Sequence, residues 1–463
     1  MTPSPSTTGD PGGAIDPDRL NSLRSAVARE LPGVRRDLEA LVRIPSVSVG
    51  EADQSLVDRS AEAVAALLRA EGLDTDIVVE GGRPAVIGHL PGPADAPHVV
   101  LYAHHDVQPI GDVGAWTSPP FEPQERDGRL YGRGAADDKA GVMAHVAAIR
   151  AHDGAPPVSV TIFVEGEEED GSPSLGQILE RHRDRLDADV LVLADSLNWA
   201  IGQPALTTSL RGLVECYLDV ATLDHPVHSG MFGGAVPDAV MVLVRLLASM
   251  HDQRGEVAVA GLHAGDAADL DYPEAQLRID AGVLDGVELI GSGALTSRLW
   301  TRPTVTVTGI DLPSTGQASN TLQAHVRAKL SVRVAPGQAA AEVFEAMRHH
   351  LLAQPAWGAR VEVTLKETGE AFAAQAEGPA YDAARAAFAD AWGVQPVDVG
   401  IGGSIPFIAE FAATFPEAAI LVTGVEDPDT RAHGVDESLH LGEFERVCVA
   451  EAVLLERLAT LPR

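Results

Sequence analysis

The chain has 463 residues, 45% of them hydrophobic, enough to bury the cores of two domains or more. Its formal net charge of −33 excludes nucleic acid as a partner, because a phosphate backbone needs clustered cations, and disfavours anionic membrane surfaces on the same ground. Cys216 and Cys448 stand alone in separate apolar stretches, so neither a disulfide framework nor a Cys-x-x-Cys zinc site is available. No apolar run reaches the roughly 20 residues of a membrane span. The opening "MTPSPSTTGDPGGAIDPD" lacks the basic-then-apolar order of a secretory leader; residues 1–18 read as a disordered tail, and the protein as cytoplasmic.

After the tail, "RLNSLRSAVARELPGVRRDLEALVR" and "SLVDRSAEAVAALLRAEGL" carry helical periodicity. "HVVLYA" then reads as a strand, "KAGVMAHVAAIRAH" as a helix, "VSVTIFVEG" as a strand, "LGQILERHRDRL" as a helix and "ADVLVLAD" as a strand. Continuous apolar strands separated by helices predict an α/β fold, a mostly parallel sheet flanked by helices. From Gly212 the order becomes strand, helix, strand, strand, helix, strand: "LVECYLDVATL", "DAVMVLVRLLASM", "TVTVTGI", "AHVRAKLSVRV", "AAEVFEAMRHHLL", "RVEVTLKET". That is the split βαβ order of a ferredoxin-like α+β domain, here with an irregular insert over residues 252–303. The α/β pattern then resumes with "AYDAARAAFADAW", "AAILVTGV" and "FERVCVAEAVLLERLATL". The expected organisation is a larger domain from 19–211 and 369–463, with 212–368 inserted into it.

Four apolar strands run into ligand-type residues at their C-terminal ends. "VVLYA" leads to His104, His105 and Asp106, "VTIFV" to the acids of "EGEEEDGS", "VLVLA" to Asp195, and "AAILVTGV" through a loop to His433. In open α/β sheets the ligand crevice lies outside the carboxyl ends of the strands, so these sites should converge. His104 and Asp106 project to the same side of an extended chain while His105 points away. That makes His104 a candidate metal ligand and Asp106 the carboxylate that fixes its tautomer. In "RLYGRGAADDKAG", Asp137 and Asp138 head a helix, as helix caps or as further ligands. Five acids within residues 165–170, following a buried-type strand with no lysine or arginine near in sequence, call for a divalent cation. No His-Glu-x-x-His, Gly-x-Ser-x-Gly, Walker or EF-hand pattern is present.

In this order, "HHDVQP", "DGRLYGRGAADDKAG", "EGEEEDGS", "HSGMFGG", "LSVRVAP" and "GGSIPF" resemble metallopeptidase family twenty, from about residue 30 to the C-terminus. That group includes carnosinases, cytosolic non-specific dipeptidases, aminoacylases and succinyl-diaminopimelate desuccinylases. "DVQP" followed by Trp116 is most similar to its dipeptidase branch. The resemblance implies a zinc-exopeptidase-like catalytic domain with two divalent metal ions per subunit, zinc foremost and manganese or cobalt also suitable. It implies His104 and Asp195 on one ion, Glu169 and His433 on the other, Asp137 bridging, and Glu168 as general base. The inserted domain would be a lid that also forms a homodimer, with His228 reaching the partner's active site. Arg333 and Ser404 would hold the substrate's carboxylate, with Asn320 near the reacting carbonyl. This chain has Gly400 and Ile401 where dipeptidases of the group often carry an Arg-Glu pair, Asp170 where serine is common, and Asp436 where asparagine is common.

The expected activity is therefore hydrolysis of dipeptides or short peptides by an activated water. The alternatives are an N-acyl amino acid amidohydrolase using the same site, and a catalytically silent metal-binding or scaffold protein, because fold alone does not establish activity.

Overall fold

The computed structural model describes residues 15–267, 270–354, 356–403 and 406–461. The chain forms two compact units. Among the described residues, one falls within 1–207, 375–399 and 410–463, and the other within 208–374 and 400–409. These divisions lie a few residues from the expected 211 and 369, and 400–409 falls in the second unit. Most of the expected tail lies outside the described residues; a helix, Pro17–Val42, begins where the tail was expected to end.

In the first unit, four strands lie parallel in the order Ser159–Glu165, His98–His104, Val190–Leu193, Ala419–Val422. Each is buried along its length because helices cover it, which is why each reads as a continuous apolar run. Two strands absent from the sequence reading, Asp74–Val78 and Ala85–Leu90, extend this sheet antiparallel at one side. The helix Lys139–Ala151 is buried nearly all round, between Pro17–Val42, Leu441–Leu458 and the His98–His104 strand. Parallel pairing puts all four carboxyl ends on one edge, His104 standing opposite Glu165 in register.

In the second unit, Gly212–Ala221, Thr304–Ile310, His325–Val334 and Arg360–Gly369 form an antiparallel sheet. The sheet runs second, third, first, fourth by chain position, with helices Ala239–Ser249 and Ala340–Ala353 after its first and third strands. This is the split βαβ arrangement. Gly212–Ala221 alternates strictly, burying Val214, Cys216, Leu218 and Val220 in the unit's core. The insert contains two short helices, Glu274–Asp280 and Leu295–Trp300. Among the described residues, no helix is long and apolar enough to cross a membrane.

Candidate metal centre

Beyond the last hydrogen bonds of the parallel strands, the chain is shaped by Asp106. This fully buried carboxylate lies 3.3 Å from His104 Nδ1 and accepts from the Ser48 hydroxyl at 2.6 Å. It also accepts the backbone N–H groups of Glu168 at 3.2 Å and Glu169 at 3.1 Å. Asp106 thus orients the imidazole, its backbone carbonyl oxygen lying 3.1 Å from His104 Nδ1 beside the carboxylate, and its side chain fixes the turn that presents both glutamates. The sequence reading placed Asp106 beside His104 but did not foresee its hold on the glutamates. Burial opposes its charge, yet the contacts with His104 and Ser48 hold its carboxyl below the ordinary range.

The other face of His104 looks into the centre, where its Nε2 lies 3.0 Å from Asp137 Oδ1 and 4.0 Å from Glu168 Oε2. The opposite oxygen of Asp137 is 3.0 Å from His433 Nε2, which is also 3.2 Å from Glu169 Oε2. Glu169 is steadied at its other oxygen by the backbone N–H of Gln108 at 3.0 Å. Asp195 completes the group: ligand atoms of His104, Glu168 and Asp195 lie within 4.8 Å of one another, as do those of His104, Asp137 and Glu169. Gly424 lets the loop that carries His433 pass against the Asp195 strand end; a Cβ there would sit 1.5 Å from the Ser196 carbonyl oxygen.

The remaining acids separate by role. Asp138 turns away from the centre to cap the Lys139–Ala151 helix, accepting from Gly141 N at 3.2 Å, and takes the His104 backbone N–H at 3.3 Å. Glu165 accepts the Tyr102 hydroxyl at 2.7 Å, Glu167 ties down Arg83 N and Ser174, and Asp170 is exposed. Only Glu168 and Glu169 of that acidic run face the centre. His105 is buried against the Pro84 carbonyl, its pKa pushed down to about 4 by burial. Glu426 joins the acid cluster and was not singled out from the sequence, although it too follows a parallel strand. Burial, then Asp137 and Asp195, push its carboxyl well up.

Charge in this centre is out of balance. Burial and then the Asp195 charge push the Glu168 carboxyl well up; burial and then Asp137 raise Glu169. Asp195 is pushed up to about 7, by burial first and then by Asp137 and Glu169 against the pull of His104. His433 is pushed up to about 11 by its hydrogen bonds to Asp137 and Glu169. The buried cations nearby are committed elsewhere: Lys139 donates to the carbonyls of Leu41 and Ile44, and Arg133 pairs with Glu437. Two imidazoles and four to five carboxylates with no thiolate form an oxygen–nitrogen donor set that fits divalent cations.

This protonation pattern carries an expected result. A cation entering the centre must displace the proton held by His433 and, below pH 7, the one shared with Asp195. Affinity should therefore rise with pH, more steeply below about 7 than above it. Calorimetric cation titrations in buffers of different ionisation enthalpy should detect proton release that shrinks as the pH is raised.

Three further candidates lie in the second unit. His228 is exposed and ends a two-residue strand paired with Thr321–Leu322; its Nδ1 accepts from Gly230 N at 3.1 Å. Asn320 is its neighbour, its carbonyl accepting Ser229 N–H at 2.8 Å. Arg333 sits on His325–Val334, opposite Leu213, where its charge depresses the buried Arg211. Arg211, pushed down to about 10 by burial first, donates to the Gly402 carbonyl at 2.9 Å and went unnoticed in the sequence. Ser404 lies outside the described residues.

The chain is 37% identical over 406 residues to a cysteinylglycine-S-conjugate dipeptidase of Corynebacterium striatum, covering 86% of this chain and 89% of that one. It is 30% identical over 387 residues to the Beta-Ala-His dipeptidase of Rattus norvegicus, covering 77% and 76%. The crystal structure of human carnosine dipeptidase 1 superimposes with a TM-score of 0.78 at 24% identity, over 96% of this chain and 100% of that chain, and shows the same fold. The family model described as Peptidase family M20/M25/M40 matches residues 100–457, and the chain belongs to that family.

Proposed function

We propose that this protein is a two-cation dipeptidase that cleaves the amide bond of dipeptides at the centre around His104, Asp137, Glu168, Glu169, Asp195 and His433. The observation that carries the reading is the position of Asp137, one oxygen 3.0 Å from His104 and the other 3.0 Å from His433. A carboxylate placed between two imidazoles, with more acids on both flanks, is suited to bridging two cations. His104 and Asp195 would hold one, Glu169 and His433 the other. Zinc suits these donors, and manganese or cobalt would also fit.

When bound, the cations supply Lewis acidity, acidifying water and polarising the scissile carbonyl. Glu168, held by Asp106 at the edge of the centre, takes a proton from the attacking water at its carboxylate oxygen. It then delivers that proton to the amide nitrogen as the C–N bond breaks, releasing the amine. His104 and Asp106 keep one tautomer throughout, Nδ1–H toward Asp106 and Nε2 toward the centre. Arg333 and Ser404 would bind the substrate's carboxylate and Asn320 would lie near the carbonyl, as the family resemblance implies.

The test is metal analysis of the purified protein, coupled to a panel of Cys-Gly S-conjugates, β-Ala-His and other free-amino dipeptides, with and without chelator. N-acetylated amino acids serve as the comparison. Chelator-sensitive cleavage of the dipeptides supports the reading. Cleavage of the acylated compounds alone makes the protein an amidohydrolase, and bound metal without cleavage makes it a silent binding protein.

A cytoplasmic homodimer formed through the inserted domain, with His228 serving the partner's site, completes the proposal. The outer strand Thr304–Ile310 leaves most of its residues exposed, a free sheet edge that pairing would cover. His228→Ala is expected to lower kcat by about 10²–10³ through loss of a donor to the developing oxyanion. Mixing that variant with a Glu168 variant should restore part of the activity in hybrid dimers; no recovery would place His228 in its own subunit's site or outside catalysis.

A further inference from the structure

We propose that the buried Arg133–Glu437 pair is the positioning element that sets Asp137 against His433 and so makes the two halves of the centre bind cations together. The inference rests on the two-cation reading above. Glu437 is fully buried and Arg133 is 1% exposed. One oxygen of Glu437 accepts Arg133 Nη1 at 2.6 Å and Gly134 N at 3.1 Å; the other accepts Ala136 N at 3.1 Å and Asp137 N at 3.2 Å. Its own carbonyl accepts Gly132 N–H at 3.0 Å. The carboxylate therefore gathers the backbone leading into Asp137.

Arg133 works in the other direction. Its Nη2 donates to the carbonyl of Gly434, next to His433, at 3.1 Å, and to that of Pro109 at 3.3 Å. Pro109 belongs to the segment that leaves His104 and Asp106. Three stretches carrying candidate ligands are thus fastened to one ion pair. Gly134 permits the turn, with φ of +78° and space for no Cβ, since one would lie 2.5 Å from Val107 Cγ1. Burying an ion pair is a poor route to stability, because desolvation offsets most of the attraction. Here, though, both carboxylate oxygens face donors on the ligand-bearing loop, which suits a positioning role.

The decisive variant is Glu437→Gln. An amide has one acceptor oxygen and adds an NH2, so in either orientation two of the four donors lose their acceptor. Arg133→Lys is the companion variant: it keeps the charge but loses the fork that reaches Glu437 and Gly434 together. Glu451→Gln is the control, neutralising a comparable buried carboxylate 2.8 Å from His145 Nδ1 outside the centre. Each chelator-stripped protein is titrated with Mn²⁺ by calorimetry, and its metal-free thermal midpoint is recorded.

Glu437→Gln and Arg133→Lys should lose about 10–100-fold in cation affinity, as partners of ligands do when removed. Glu451→Gln should lower the midpoint without changing affinity. Wild-type affinity in Glu437→Gln, or in Arg133→Lys should the first variant not fold, overturns the proposal, as does an equal loss in the control. A wild-type protein that takes up no cation overturns the two-cation reading itself.

Discussion

Glu168→Gln is expected to retain both cations and lose about 10²–10⁴ in kcat, the range over which a positioned general base contributes. The structure makes this a sharp test because Glu168 stands on the border between two roles. Its Oε2 is 4.0 Å from His104 Nε2, and it lies within ligand reach of His104 and Asp195. Yet its side chain keeps 17% exposure whereas that of Glu169 keeps 2%, and it makes no direct contact with His433 of the kind Glu169 makes. A base needs access to substrate and water, which Glu168 has more of than Glu169. Glutamine preserves the shape and a donor oxygen but cannot take up a proton at neutral pH. Metal content measured on the same samples as kcat separates the roles. Loss of one cation with the activity would make Glu168 a ligand and send the search for the base to Glu426.

Most of the centre was legible in the sequence because parallel sheets leave a pattern. Strands covered on both faces must be apolar throughout, so a polar residue marks where the sheet ends, and ends of parallel strands meet. His104, Asp195 and the acids after Val164 were found in this way. The edge strands were not. Asp74–Val78 alternates irregularly, and Ala85–Leu90 is interrupted by Gly88, a glycine because Thr75, Leu68 and Leu73 crowd the space a Cβ would take. Nor did any periodicity reveal Ser48, Gln108, Arg133 or Glu437. These residues act through hydrogen bonds between loops far apart in sequence, and such contacts depend on where distant segments arrive. The acidic run at 165–170 shows the limit in the other direction. Its residues are alike in sequence, but strand alternation and the turn at Glu168–Asp170 send Glu165 and Glu167 into structural bonds and only two into the centre.

Asp137→Ala should be the most damaging single change at the centre: no more than one cation bound tightly, and activity reduced by more than the roughly 10²-fold that loss of a ligand's outer partner can cost. Asp137 is the shared contact of His104 and His433, so its removal separates the halves. Thermal unfolding with added cation gives a readout independent of catalysis. At a free concentration of about 100 Kd, one site stabilises the wild type by about 2.7 kcal/mol, and the variant should forgo this at the site it loses. The metal-free proteins should differ in a pH-dependent way. Burial opposes the charge on Asp137, but the hydrogen bonds to both histidines hold its carboxyl below the ordinary range. That stabilisation is present above the unfolded carboxylate pKa and lost as acid protonates the folded group. His433, raised from 6.5 to about 11, adds stability that is complete below 6.5 and disappears as the pH climbs toward about 11. Without Asp137 most of both contributions should go, so the gap in stability between the metal-free proteins should be widest near pH 5–6 and narrow toward either extreme. A gap that stayed constant across that range would mean that Asp137 contributes through packing and not through its two imidazoles.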